Sequence, residues 1–170
     1  CQPHKISNFQ NNSFNADSYN WNFGDGTSSN DQNPKHTFTN FSNNANQTYT
    51  ITLNTQSTEG GCSASFDTTI TVYYKPDAQF LITNPTGCSP WEINVTNSSI
   101  GADSLFWNFG DLSAIQNIKT SPVKHLYNNN TGSSVNYVTQ GIAVTKFGCK
   151  DTLIATSTIH SNITARFTAS

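Results

Sequence analysis

Apolar and polar residues alternate with a period of two along most of this 170-residue chain, and no stretch holds a 3.6-residue period. Tyr19-Asn20-Trp21-Asn22-Phe23 sets three aromatics on one face of a strand and two asparagines on the other. Leu105, Trp107 and Phe109 do the same in Leu105-Phe106-Trp107-Asn108-Phe109. Tyr49-Thr50-Ile51-Thr52-Leu53 reads as a further half-buried strand, and Ile70 to Tyr73 and Thr152 to Ile159 as closing strands. Gly24-Asp25-Gly26-Thr27 is a turn signal in which Gly26 is free to take positive φ.

The strands recur. Cys1 and Cys62 return as Cys88 and Cys149, each 87 positions on (88 − 1, 149 − 62). Trp21-Asn22-Phe23-Gly24-Asp25 returns 86 positions on as Trp107-Asn108-Phe109-Gly110-Asp111. Ala78-Gln79-Phe80 returns 87 on as Ala165-Arg166-Phe167. A period of this length indicates an array of supersecondary units. The expected division is residues 1–74 as a unit lacking its first strand, 75–163 as a full unit, and 164–170 as the first strand of a third. Lys75-Pro76-Asp77 is the linker, too short to let the units swing freely. Ile6 and Phe9 are three apart where Ile93 and Val95 are two apart, which predicts a β-bulge near Ser7-Asn8.

Composition narrows the class. Apolar residues make up 34% and charged residues 11%, but a net charge of −2 with 12% aromatics is not the signature of a disordered chain. The expectation is folded β domains with a neutral, polar surface. Nucleic-acid binding needs a basic stripe that this chain lacks, and no apolar run reaches membrane-spanning length.

Four cysteines at two equivalent positions read as two intradomain disulfides, Cys1–Cys62 and Cys88–Cys149. Each would close a loop of roughly 60 residues, stabilising the fold by about 4 kcal/mol on a loop-entropy basis. Four free, buried thiols are the alternative. No Cys-x-x-Cys or His-x-x-x-His pair accompanies the cysteines to suggest zinc. A lipid-modified Cys1 is a further option, although Cys88 shares its repeat position and is not a terminus. Disulfides imply an oxidising, extracytoplasmic compartment.

After the aromatic block, Asn33-Pro34-Lys35-His36-Thr37-Phe38 is matched by Ser121-Pro122-Val123-Lys124-His125-Leu126-Tyr127. With Tyr49-Thr50-Ile51-Thr52-Leu53, this ordered set resembles the PKD domain, an immunoglobulin-like β-sandwich marked by Trp-Asp-Phe-Gly-Asp-Gly and a later Pro-x-His-x-Tyr. Asn stands at 22 and 108 in place of the first Asp, and Leu112 replaces the Gly after the second, which puts that turn's geometry in question. The resemblance implies an all-β fold of two tandem sandwiches in a linear array. It makes Trp21, Phe23, Gly24, Asp25 and His36, with Trp107, Phe109, Gly110, Asp111 and His125, a structural signature.

Asp25 with His36, and Asp111 with His125, raise the question of acid–base chemistry, yet their occurrence in both units fits a fold signature better. No catalytic or metal-binding set is expected. Asp17, Asp25 and Asp31 are the residues that could offer oxygen ligands to calcium, without the Asp-x-Asp-x-Asp-Gly pattern. Trp91, whose counterpart is His4, is the candidate sugar-stacking residue, against a plain packing role. Asp67-Thr68-Thr69, Asp103-Ser104-Leu105 and Asp151-Thr152-Leu153 resemble Bacteroidota O-glycosylation sequons and nominate Thr68, Ser104 and Thr152.

Tandem units of this kind resemble the repeat regions of large surface adhesins of Bacteroidota, gliding adhesins included, that leave by a dedicated outer-membrane secretion route. The implied function is a non-enzymatic stalk or spacer at the cell surface. Its partners would be neighbouring repeats and other surface proteins or glycans. The alternative is an accessory spacer or binding module of a secreted hydrolase. The 164–170 tail also admits strand donation to the open edge of another copy, against the simpler reading that it opens a further repeat.

Overall fold

The computed structural model describes residues 1, 4–6 and 8–168, with the side chains of 4–6 left aside. Ser7, at the expected bulge, falls outside the described residues, and Asn8 is in no strand. All regular structure among the described residues is strand. The chain divides into two compact units, Cys1–Lys75 and Pro76–Ser170.

Unit one holds β1 (His4–Ile6), β2 (Ser18–Asn22), β3 (Ser28–Ser29), β4 (His36–Phe38), β5 (Gln47–Gln56) and β6 (Ser63–Val72). One sheet has the order β3-β2-β5-β6, and β1 pairs antiparallel with β4 in the other. The long β5–β6 hairpin pairs Gln47 with Val72 and Gln56 with Ser63. Trp21, Phe23, Phe38, Ile51, Leu53 and Val72 form the buried cluster between the sheets, with Phe9, Tyr19, Tyr49 and Ile70 packed against it. The alternation read from the sequence thus places Trp21 and Phe23 inward, at 6% and 2% exposure.

Unit two holds β7 (Phe80–Thr83), β8 (Thr86–Cys88), β9 (Trp91–Asn97), β10 (Ser104–Asn108), β11 (Gln116–Asn117), β12 (Val123–Tyr127), β13 (Val135–Val144) and β14 (Lys150–His160). Its sheets have the orders β11-β10-β13-β14-β8 and β12-β9-β7. Removing β7 and β8 leaves the pairing scheme of unit one, with β10, β13 and β14 in the places of β2, β5 and β6. The core is again aromatic and aliphatic: Trp107, Phe109, Tyr127, Ile93, Val95 and Ile159 are fully buried.

β7 pairs with β9, and Phe80 sits edge-on to Trp107 with ring centroids 5.3 Å apart. A Cβ at Gly141 would lie 2.8 Å from both rings, so the sheet's bare backbone there makes room for them. Unit one has Leu53 at the register position of Gly141, opposite Trp21 as Gly141 is opposite Trp107. No strand among the described residues corresponds to β7 in unit one. A groove of about 700 Å³ opens there, bordered by Phe9, Phe14, Trp21, Leu53 and Phe66.

Residues 161–168 form no strand among the described residues, and Ile163 and Phe167 are 85% and 93% exposed. A strand needs a ladder partner: β7 finds β9 in its own unit, and the described tail has no such neighbour. One expectation needs correction, the cysteine pairings. Cys62 and Cys88 are exposed free thiols, whereas Cys1 and Cys149 are in disulfide form.

Strand geometry explains why. Cys88 is paired with His160 at the end of β14, while Cys149 immediately precedes the start of that strand. Eleven residues at strand rise separate the two ends by roughly 35 Å, against about 7 Å at most between bridged Cα atoms. In unit one, Cys62 precedes β6 at Ser63, whereas β1 starts opposite Phe38, beside Asn40, whose side chain bonds the Val72 carbonyl at the far end of β6. Cys1 is three residues from His4, a reach of roughly 10 Å. Each unit therefore carries its two cysteines at opposite poles.

Candidate functional site

The signature residues build one arrangement twice. After β2, Asn22 Oδ1 accepts the Gly24 N–H at 2.9 Å and turns the chain. Gly24 has φ +75°, and a Cβ there would stand 2.3 Å from the Thr50 carbonyl oxygen, so backbone fills the space a side chain would need. Gly110 repeats this against Val138. The turn then presents Asp25, whose Oδ1 accepts the Thr27 N–H at 3.0 Å and the Thr27 hydroxyl at 2.6 Å. Its Oδ2 lies 2.6 Å from His36 Nε2. In unit two, Asp111 Oδ1 accepts the Ser113 N–H, and Oδ2 lies 2.8 Å from His125 Nε2.

Each histidine lies flat on the signature phenylalanine. The Phe23–His36 centroids are 4.1 Å apart with planes 6° apart, and Phe109–His125 gives 3.9 Å and 4°. His36 and His125 also meet Phe38 and Tyr127 edge-on. Ring, carboxylate and turn thus form a closed stack, with the carboxylate oxygens occupied by their own turn. Burial alone would raise the carboxyl pKa of Asp25, but the bonds from Thr27 and His36 outweigh it and hold the group below its ordinary value. Asp111 is lowered in the same way, with Ser113 and His125 outweighing burial.

The remaining candidates disperse. Asp17 Oδ2 accepts the Thr58 N–H and hydroxyl, and those bonds lower its pKa. Asp25 serves His36, and Asp31 accepts the Trp21 indole N–H through its backbone carbonyl. The three lie in three different loops, and no cluster of three His, Cys, Asp or Glu residues suited to a metal occurs among the described residues. Trp91 covers Gly87, where a Cβ would come within 2.0 Å of its ring, and donates its indole N–H to the Asn84 carbonyl. That is a packing role. Thr68 and Thr152 are exposed on β6 and β14, and Ser104 is half-buried on β10.

Leu112 answers the question raised by its missing glycine. It takes φ +69° where Gly26 takes +89°, so the second turn keeps its hand and points the leucine fully into solvent.

A pair of residues escaped the sequence reading. Asn40 and Asn129 are 3% and 1% exposed. Asn129 Nδ2 donates to the Ser133 and Ile159 carbonyls, both at 2.7 Å, and Oδ1 accepts from Thr131. Asn40 does the same with Ala45, Val72 and Ser42. Each pins the loop after β4 or β12 to the last residues of the closing strand. The signal was available, since each Asn stands two residues after an aromatic that ends the Pro-x-His block, but abundant asparagine hid it.

With this geometry in view, comparison with known families bears on the first unit. Residues 4–72 match the PKD domain. The match runs from the first residue of β1 to the last of β6. A PKD domain is an immunoglobulin-like module that typically serves structural or adhesive roles without catalysis, in keeping with a signature consumed by its own turn. No curated protein matches the chain. No helix in the described residues is long and apolar enough to cross a membrane.

Proposed function

We propose that the chain is a non-enzymatic repeat segment of a large extracellular surface protein, with units 1–74 and 75–163 as tandem PKD domains and 164–170 opening a further repeat. The observation that carries this is the duplicated Asp–His–Phe stack. Unit two reproduces the PKD-matched unit residue for residue at Asn22/Asn108, Gly24/Gly110, Asp25/Asp111 and His36/His125, and in both the polar atoms are absorbed by the turn. An active site exposes its reactive atoms to a substrate. These stacks close on themselves.

The mechanism is mechanical. Antiparallel sandwiches joined by the short Lys75-Pro76-Asp77 connector form a stalk or spacer that projects an adhesive end from the cell. Disulfide-bonded cysteines and a sparsely charged, Asn/Thr/Ser-rich composition support export to an oxidising exterior. Resemblance to Bacteroidota surface adhesins supports a place in adhesion or gliding, with Thr68, Ser104 and Thr152 as O-glycan acceptors.

Single-molecule force spectroscopy of the full chain in reducing buffer tests the stalk. Two discrete unfolding events are expected, each releasing on the order of 25 nm of contour. Smooth extension without resolved events would refute it. Catalytic turnover lost in His36→Phe or His125→Phe, with circular dichroism unchanged, would overturn the non-enzymatic reading.

A further inference from the structure

We infer that the groove in unit one is a binding seat for an extended, uncharged strand of a partner protein, one that brings an aliphatic rather than an aromatic side chain to Leu53. The seat lies wholly within unit one and needs no repeat array. Unit two serves only as a view of the same seat when filled.

A free backbone edge borders the groove. Phe9 donates its N–H to the Pro34 carbonyl, and Asn11 donates to Asn33 Oδ1, both at 2.8 Å. Along an extended segment such groups alternate sides, so Gln10 and Asn12, both exposed, turn theirs away from β4. Among the described residues neither finds a backbone partner there. In unit two Asn97 repeats Asn11, donating its N–H to Ser121 Oγ and accepting from Ser99 as Asn11 accepts from Ser13. The next residue, Ser98, donates to the Gln79 carbonyl, and β7 runs on antiparallel beside Asn97 to Asn94. The edge at Gln10 and Asn12 is that edge without its strand, a form open to strand addition.

The floor beside this edge is apolar and bare. Phe66 is paired with Leu53 and is 70% exposed, and Phe14 is 86% exposed. Leu153 is paired with Gly141 as Phe66 is with Leu53, and it packs against the cluster of Ala78, Leu105 and Ala143. Ala78 reaches that cluster from just ahead of β7, and Phe66 has no such cover. None of the described residues bordering the groove is charged, so a charged side chain would be desolvated there without compensation.

The shape of the floor sets the preference. Gly141 leaves bare backbone under the Phe80 ring, whereas Leu53 fills that room in unit one. Trp21 already has an aromatic neighbour in Phe9, at 5.4 Å against 5.3 Å for Phe80 and Trp107. A strand seated here therefore fits with valine where β7 has Phe80, and an aromatic there overpacks the site. The tail of a second copy is disfavoured on the same ground, because Phe167 falls 87 positions after Phe80.

Two capped peptides test this: the β7 sequence Ala-Gln-Phe-Leu-Ile-Thr, and the same with valine for phenylalanine. Each is titrated into the isotopically labelled full chain and followed by amide NMR. The valine peptide is expected to bind roughly tenfold more tightly, shifting the Gln10 and Asn12 amides and slowing their hydrogen exchange. Leu53→Gly should invert the preference. Should that variant fail to fold, Phe66→Asn, altered at a mostly exposed side chain, should weaken the valine peptide roughly tenfold. Binding of neither peptide, equal affinity for both, or shifts confined to other residues overturns the inference. Dimerisation of the full chain that Phe66→Asn abolishes would make a second copy the occupant and overturn it as well. None of these results bears on the stalk reading, which the unfolding events decide.

Discussion

Leu112→Gly should stabilise unit two. Leu112 sits at φ +69°, a conformation in which an L-residue's Cβ crowds the following carbonyl oxygen, and its side chain is wholly exposed. The strain costs roughly 1–2 kcal/mol. Glycine removes it but loses more backbone freedom on folding, giving back about 0.5–1 kcal/mol. No packing is forfeited, because the leucine touches solvent only. The net gain is about 0.5–1 kcal/mol, or roughly 3–6 °C in the melting temperature of a domain this size. Differential scanning calorimetry of the full chain measures the shift, and hydrogen exchange across β10 and β13 assigns it to unit two. The mirror change is Gly26→Ala, at φ +89° with no atom within 4 Å of an added Cβ. It should lower unit one by about 1 kcal/mol through backbone strain alone. A Leu112→Gly melting temperature that is unchanged or lower would show that the turn does not carry this strain.

Three further outcomes are expected. Asp25 and Asp111 have folded pKa values below their unfolded ones, so their contribution to stability is fully present above about pH 4 and is lost as pH falls through the folded values; pH titration by circular dichroism should show a weaker acid dependence in Asp25→Asn and Asp111→Asn. Asn129→Ala strands the buried Ile159 carbonyl and frees the exposed Ser133 carbonyl and Thr131 N–H to water, and should cost about 1–3 kcal/mol in urea unfolding, with Asn40→Ala giving a parallel loss at the Val72 carbonyl in unit one. Ser157 is fully buried with no partner for its hydroxyl, so Ser157→Ala should be neutral or stabilise by about 1 kcal/mol in the same assay.

Local chemistry was legible in the sequence wherever a period or a turn residue carries its own physical reason. Alternation placed Trp21, Phe23, Leu105, Trp107 and Phe109 in the cores because a strand's side chains have only two faces to choose from. The Asp–His pairs were likewise readable as turn fasteners. Long-range placement was not legible. The spacing between Cys88 and Cys149 says how much chain lies between them, whereas the parallel seat of β8 beside the end of β14 decides that they stand at opposite poles. Leu112 shows the reverse: one residue argued against a left-handed turn, and the surrounding bonds of Asp111 and Asn108 imposed it. Asn40 and Asn129 stayed hidden because a buried asparagine and a solvated one are the same letter.

The polar separation of the cysteines has a consequence for redox sensitivity. With no bridge inside a unit, neither sandwich relies on a disulfide of its own to hold its hydrophobic core and its Asp–His stack together. Reducing agent should therefore leave the internal packing of each unit as it stands.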